Sequence, residues 1–128
     1  MIIKNGTLFC EDGSFRTMDL KIQNGHIAEI GSQLAADGQE SLDATNCYVV
    51  PGLVDIHIHG AVGADFSDGE GASIQTMARF LLSQGVTSFL GTSMALPGER
   101  LSQIYRTARP FVGQAVPGMA TLRGVNME

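Results

Sequence analysis

Two spacings of apolar residues follow one another along the chain. Up to about residue 50, apolar positions come in short extended runs broken by turn formers. Ile2-Ile3-Lys4 precedes Asn5-Gly6, Thr7-Leu8-Phe9-Cys10 precedes Asp12-Gly13, a strand-like stretch over 16–23 precedes Asn24-Gly25, and His26-Ile27-Ala28-Glu29-Ile30 closes on Gly31. Asn-Gly between apolar runs is a strong hairpin signal, because a type I′ turn needs positive φ at both central residues. A small antiparallel β unit is therefore predicted. Residues 34–45, polar and small, predict a surface connection, and 46–50 one more strand leading into Pro51-Gly52.

From Leu53 the pattern changes. Leu53-Val54-Asp55-Ile56-His57-Ile58-His59 alternates strictly and is followed by a loop with Gly60, Gly63, Gly69 and Gly71. Over 73–84 the apolar residues Ile74, Met77, Ala78, Leu81 and Leu82 recur at helical spacing, with Ser73 placed to cap the start and Gly85 to take the left-handed position after the end. A strand over 86–91, a helix over 97–112 with Leu101, Ile104, Tyr105 and Ala108 on one face, and a strand over 121–127 complete the prediction. Strand, helix, strand, helix, strand is the order of βαβ units with parallel strands.

Composition narrows the classes of function. Of 128 residues, 44% are apolar and 16% charged, enough for a packed core and unlike a disordered chain. A net charge of -5 with eight scattered Lys and Arg offers no basic stripe for a phosphate backbone, so nucleic acid is not an expected partner. Cys10 and Cys47 fit no metal-finger spacing and read as small buried thiols of a reducing compartment, with a disulfide as the alternative. The first residues turn polar too soon for a secretory signal, and no apolar run approaches a membrane span. A soluble, cytoplasmic protein with no membrane partner is expected.

The candidate chemistry lies at His57 and His59. Side chains two apart on a strand share a face, with Cα atoms about 6.6 Å apart, so both imidazoles can converge on one ion. They sit at the C-terminal end of their strand, where parallel α/β barrels build active sites. Asp55 faces the same side, and Val54, Ile56 and Ile58 are expected to face covering helices. Glu128, after the last predicted strand, could add a carboxylate to the two imidazoles, a donor set that suits zinc as well as iron, manganese or cobalt. The alternatives at this point are a chance His-x-His and a solvated Glu128. A cupin, the other home of His-x-His, wants a Glu a few residues later, and here none comes before Glu70. His26 reads as a surface histidine, Asp65 and Asp68 read as solvated loop acids, and the loop glycines match no phosphate-binding fingerprint.

These residues resemble a known group. Val49-Val50-Pro51-Gly52-Leu53-Val54-Asp55-Ile56-His57-Ile58-His59-Gly60 is similar to the entry of the first barrel strand in the amidohydrolase superfamily. The stretches 60–69, 85–93 and Gly124-Val125-Asn126-Met127-Glu128 resemble the N-acetylglucosamine-6-phosphate deacetylase family. The resemblance implies an α/β fold, in which a small N-terminal β-sandwich portion over 1–50 is followed over 51–128 by the first βαβαβ units of an incomplete (β/α)8 TIM-like barrel. It implies His57, His59 and Glu128 as ligands of a divalent metal, zinc first and iron, manganese or cobalt as alternatives, with room for a second ion. The implied reaction is hydrolysis of the acetamido group of N-acetylglucosamine 6-phosphate to glucosamine 6-phosphate and acetate.

A complete barrel of this kind takes about 250 residues, and those after Gly52 account for three strands. The general-base Asp is therefore expected beyond residue 128, no catalytic base is assigned within the chain, and the 128 residues alone are expected to be inactive. Unpaired edge strands imply a homo-oligomer. Two other readings stay open: part of another amidohydrolase (a cyclic amidase, deaminase or dipeptidase), or a non-catalytic truncated module.

Overall fold

The computed structural model describes residues 1–128, which divide into two compact units, Met1–Pro51 and Gly52–Glu128. The first unit is a single sheet. Strands β1 (Ile2–Phe9), β2 (Phe15–Gln23) and β3 (His26–Gly31) run antiparallel in sequence order, and β4 (Ser41–Asp43) and β5 (Tyr48–Val49) both pair with β1 in parallel. The unit is thus mixed rather than purely antiparallel, because the segment expected to be a plain connection lays β4 along the free edge of β1.

The two Asn-Gly pairs behave differently. Asn24 and Gly25 have φ of 51° and 76°, and Gln23 pairs with His26, so the expected hairpin forms. Asn5 also has positive φ, 60°, but the chain continues straight through it. The register against β2 steps from Ile3–Leu20 to Gly6–Met18, which leaves one extra residue on β1, a β-bulge in place of a turn. A Cβ on Gly6 would come within 2.5 Å of Val49 Cγ2, so close approach of β5 is what asks for glycine here.

A buried carboxylate fixes that bulge. Asp19, 3% exposed, accepts hydrogen bonds from Asn5 N at 2.9 Å, Leu34 N at 2.8 Å and Lys4 Nζ at 2.5 Å, and Lys4 also donates to Leu34 O at 2.7 Å. One side chain therefore ties together β1, β2 and the segment after β3. The Lys4 ammonium, followed by the Asn5 amide, holds the Asp19 carboxyl below its ordinary value despite burial.

In the second unit β6 (Leu53–Ile58), β9 (Val86–Ser93) and β10 (Thr121–Met127) form a parallel sheet in the order β10-β9-β6, linked by α1 (Gly71–Ser83) and α2 (Gly98–Ala108). The βαβαβ reading is met. The loop after β6 is more ordered than its glycines suggest. It folds into a two-stranded ribbon, β7 (Gly60–Ala61) with β8 (Ala64–Asp65), turned by Val62 and Gly63 at positive φ, and then a 3-10 turn over Phe66–Asp68. Gly85 takes the left-handed conformation expected of it. Ser73 does not cap α1. The helix starts two residues earlier, and the Ser73 hydroxyl donates instead to Asp68 Oδ2 at 2.7 Å. The second helix ends at Ala108 because Pro110 lies in a following 3-10 turn.

The core lies between sheet and helices, with Phe66, Phe89, Met77 and Ile104 at 1% exposure or less. Burying each such side chain stabilises by about 1.5–3 kcal/mol. Phe66 packs where Gly91 has no side chain; a Cβ there would sit 2.3 Å from its ring. The expected helix cover over β6 is incomplete. Ile58 packs on the core, but Val54 and Ile56 are 64% and 68% exposed, because β6 is an edge strand and both helices connect through β9.

Replacing Asp19 by Ala should destabilise the first unit by about 1–3 kcal/mol, the range for a partner left unsatisfied, read from urea unfolding. The same group gives a pH dependence. Its folded pKa lies below the usual 3.8, so its stabilising contribution is complete above that pH and is lost as pH falls through the folded value. Asp19→Asn should flatten that acid limb of the stability curve.

Candidate metal centre

The C-terminal ends of the three parallel strands bring the candidate ligands together. The first ingredient is an irregularity in β6. Its register with β9 steps from Asp55–Phe89 to Ile58–Gly91, so one residue of β6 is extra. Two side chains repair the ladder. Asp55 Oδ1 accepts from His57 N at 3.0 Å, and the Oγ1 of Thr92, a wholly buried residue, accepts from Ile58 N at 3.1 Å. Thr92 acts a second time through its carbonyl, which lies 3.2 Å from His59 Nδ1. A carbonyl only accepts, so Nδ1 carries the proton and a neutral His59 presents a bare Nε2.

That Nε2 lies 3.3 Å from His57 Nε2 and 3.1 Å from Glu128 Oε2. One donor atom from each of His57, His59 and Glu128 falls within 4.8 Å of the others. Two nitrogens each about 2.0–2.1 Å from a tetrahedral zinc stand about 3.3–3.4 Å apart. The spacing and the donor chemistry therefore fit a divalent cation. Three donors would leave a fourth position open, as in catalytic rather than structural zinc sites.

Glu128 reaches this cluster because β10 runs parallel to β9, with Asn126 opposite Thr92 and Met127 opposite Ser93. Asn126 and Glu128 fall on one side of the strand, and Asn126 Nδ2 lies 3.3 Å from His57 Nδ1. Neither Thr92 nor Asn126 was singled out from the sequence. The period of two that relates Asn126 to Glu128 was a usable signal, whereas the Thr92 contacts depend on a bulge that no local pattern announces.

Other sequence candidates settle into structural roles. Asp65 and Asp68 are loop acids as expected, Asp68 exposed and Asp65 half-buried, and they also form a reciprocal capping box. Asp65 Oδ1 accepts from Ser67 N at 2.7 Å, and Asp68 Oδ2 accepts from Asp65 N at 2.9 Å. That backbone donor, followed by the Ser73 hydroxyl, lowers the Asp68 pKa. Arg100 donates to the carbonyls of Ser67 and Asp68 at 3.1 and 2.7 Å, so α2 clamps the loop that follows His59. His26 opens β3 in the first unit and is exposed. Cys10 and Cys47 are free thiols, Cys10 half-buried and Cys47 exposed, so the expected burial of Cys47 is not met.

No protein-family model matches the chain. Among curated proteins, an N-acetylglucosamine-6-phosphate deacetylase of Lysinibacillus sphaericus is 32% identical over 94 residues, covering 73% of this chain and 24% of the relative. A dihydroorotase of Bacillus licheniformis is 43% identical over 58 residues, 45% of this chain and 14% of the relative. Among solved structures, the N-acetylglucosamine-6-phosphate deacetylase of Thermotoga maritima superposes with a TM-score of 0.75 at 32% identity, covering 99% of this chain and 31% of that one. The chain thus spans about a quarter to a third of the length of the deacetylases it matches. Deacetylase, dihydroorotase and hydantoinase neighbours all fall in the amidohydrolase superfamily, the class that the residues around Pro51-Gly52 and His57-Ile58-His59 resemble. Within that class, N-acetylglucosamine-6-phosphate deacetylase is the neighbour that both the sequence and the structure comparisons name.

Replacing Thr92 by Val keeps the shape and removes the acceptor for Ile58 N. An unpaired buried N–H costs about 1–3 kcal/mol, and hydrogen exchange at the Ile58 amide should accelerate correspondingly. Thr92→Ser should restore protection.

Proposed function

We propose that this chain is the N-terminal part of a metal-dependent N-acetylglucosamine-6-phosphate deacetylase, with 1–50 as the β-sandwich portion and 51–128 as the first three strands and two helices of a (β/α)8 barrel. His57, His59 and Glu128 are its metal ligands, with zinc the first candidate and iron, manganese or cobalt the alternatives. The observation that carries the reading is the convergence of these three donor atoms within 4.8 Å at the C-terminal ends of parallel strands.

A divalent cation, when bound, supplies Lewis acidity toward an amide carbonyl and activates water at neutral pH. The chain's own residues supply the placement. Thr92 O orients His59 through its Nδ1–H, Asp55 holds the backbone of His57 at the bulge, and Glu128 brings the negative charge that offsets the cation. The aspartate that serves as general base lies outside 1–128 in this reading, so the 128 residues by themselves bind the cation and do not release acetate. The substrate is the phosphorylated amino sugar, the location is the cytoplasm, and the assembly is a homo-oligomer, a reading supported by the exposed Val54 and Ile56 on edge strand β6.

The dihydroorotase match favours one second reading, hydrolysis of a cyclic amide. Assays of the full-length protein separate the two. Acetate release from N-acetylglucosamine 6-phosphate, abolished by a chelator and restored by zinc, is expected. Ring opening of dihydroorotate or hydantoin in its place would transfer the assignment to the second reading. His59→Ala should lower zinc affinity by more than the 10–100-fold typical of losing an outer partner of a ligand, measured by chelator competition; unchanged affinity would remove the metal centre.

A further inference from the structure

The ladder between β6 and β9 ends at the Ile58–Gly91 pair, one residue short of His59. A side chain carried past the end of its sheet can splay, and a metal site asks for its ligands within about 0.5 Å of the right place. His59 is nevertheless held twice. Its ring Nδ1 lies 3.2 Å from Thr92 O, and its own carbonyl accepts from Phe66 N at 2.7 Å. The two holders belong to different segments, Thr92 to the end of β9 and Phe66 to the 3-10 turn that follows the ribbon.

One hydroxyl joins those segments. Ser67 Oγ accepts from Met94 N at 3.0 Å. A closed circuit results: from the His59 carbonyl to Phe66, along the chain to Ser67, across to Met94, back along the chain to Thr92, and across to the His59 ring. Ser67 is itself fixed, because its N–H donates to Asp65 Oδ1 at 2.7 Å and its carbonyl accepts from Arg100 at 3.1 Å. Without the hydroxyl, Phe66 would still pack on Gly91, but apolar contact has no preferred direction, whereas a hydrogen bond does. The Ser67–Met94 bond lies at the surface, so water can take the place of the hydroxyl at the Met94 amide, and little stability depends on it.

We propose that Ser67 is a positioning residue for His59, whose hydroxyl sets where the imidazole stands at the metal centre. The proposal rests on the reading of His57, His59 and Glu128 as metal ligands. It adds the loop after β6 to the groups that govern metal geometry, through a residue with no hydrogen bond to any of the three ligands. An alanine at 67 opens the circuit and leaves the fold in place. A threonine keeps the hydroxyl and therefore the circuit.

Hydrogen exchange, zinc affinity and the visible spectrum of the cobalt-loaded form test this in the full-length protein and in Ser67→Ala and Ser67→Thr. In metal-free Ser67→Ala, exchange should accelerate by about 2–10-fold at the Met94 amide, which loses its acceptor. It should accelerate similarly at the Phe66 amide, whose own bond to His59 O is not removed. Zinc should bind about 10-fold more weakly, and the cobalt bands should shift, while the urea midpoint stays near that of wild type. Ser67→Thr should restore all of these. Unchanged exchange at Phe66, wild-type zinc affinity or a wild-type cobalt spectrum in Ser67→Ala would overturn the proposal, and so would a Ser67→Thr protein that behaves as Ser67→Ala does. A wild type that takes up neither zinc nor cobalt would overturn the metal centre itself, while exchange at Phe66 in the metal-free proteins would still decide whether Ser67 holds His59.

Discussion

The pairing of β6 with β9 through Thr92 is the constraint on which the site depends. Parallel strands share an even ladder of slanted hydrogen bonds, and an extra residue in one of them leaves backbone groups without partners. That deficit is met at His57 N by the Asp55 carboxylate and at Ile58 N by the Thr92 hydroxyl, so the strand keeps its place while its end is re-aimed. The same residue that closes the ladder turns His59 with its carbonyl. With β9 in the middle of the sheet, β6 and β10 stand on either side of it, and the paired imidazoles meet Asn126 and Glu128 across its end. Holding side chains through backbone contacts on regular elements positions them more closely than loops can.

The connection that leaves His59 is held just as firmly. Glycine content would suggest mobility, yet the ribbon, the capping box and the Arg100 clamp give its polar groups partners, and Phe66 anchors it in the core against the bare backbone of Gly91. Glycine at 91 thus serves close packing, not flexibility. His59, just past the end of β6, is therefore bracketed by order on both sides, which limits the entropy that binding a cation would otherwise cost.

How much of this could be read from the sequence depended on whether the signal was local. The hairpin at Asn24-Gly25, both helices and the three parallel strands follow from periodicity and turn chemistry that act over a few residues. His57 and His59 were legible because they share a strand. Glu128 was legible as a candidate only through its strand-end position and the family resemblance, since its approach to His59 spans most of the second unit. Asn5-Gly6 shows the limit. The same dipeptide that turns the chain at 24–25 makes a bulge at 5–6, because Asp19 captures the Asn5 amide and β5 crowds Gly6. The Ser73 cap failed for a related reason, as its hydroxyl had a neighbour in space, Asp68, that outcompeted the role its sequence position suggested.

The exposure of the candidate ligands bears on what the cluster can do. His59 and Glu128 side chains retain 32% and 51% of their accessible surface, so charges there act on one another through a largely aqueous medium. Electrostatic interactions weaken several-fold between a protein interior and water, and a hydrolytic site depends on a dry, shaped cavity to polarise its substrate. In the proposed reading, three donors at metal spacing hold an ion but do not by themselves make it selective for an acetamido group on a phosphorylated sugar. Selectivity needs walls that contact the sugar and the phosphate, and the solved deacetylase matched here extends far beyond the 31% of its length that this chain covers. In the proposed reading, metal capture and substrate choice are thus separable: the former rests on the ends of β6, β9 and β10, and the latter on surfaces that contact the sugar and its phosphate.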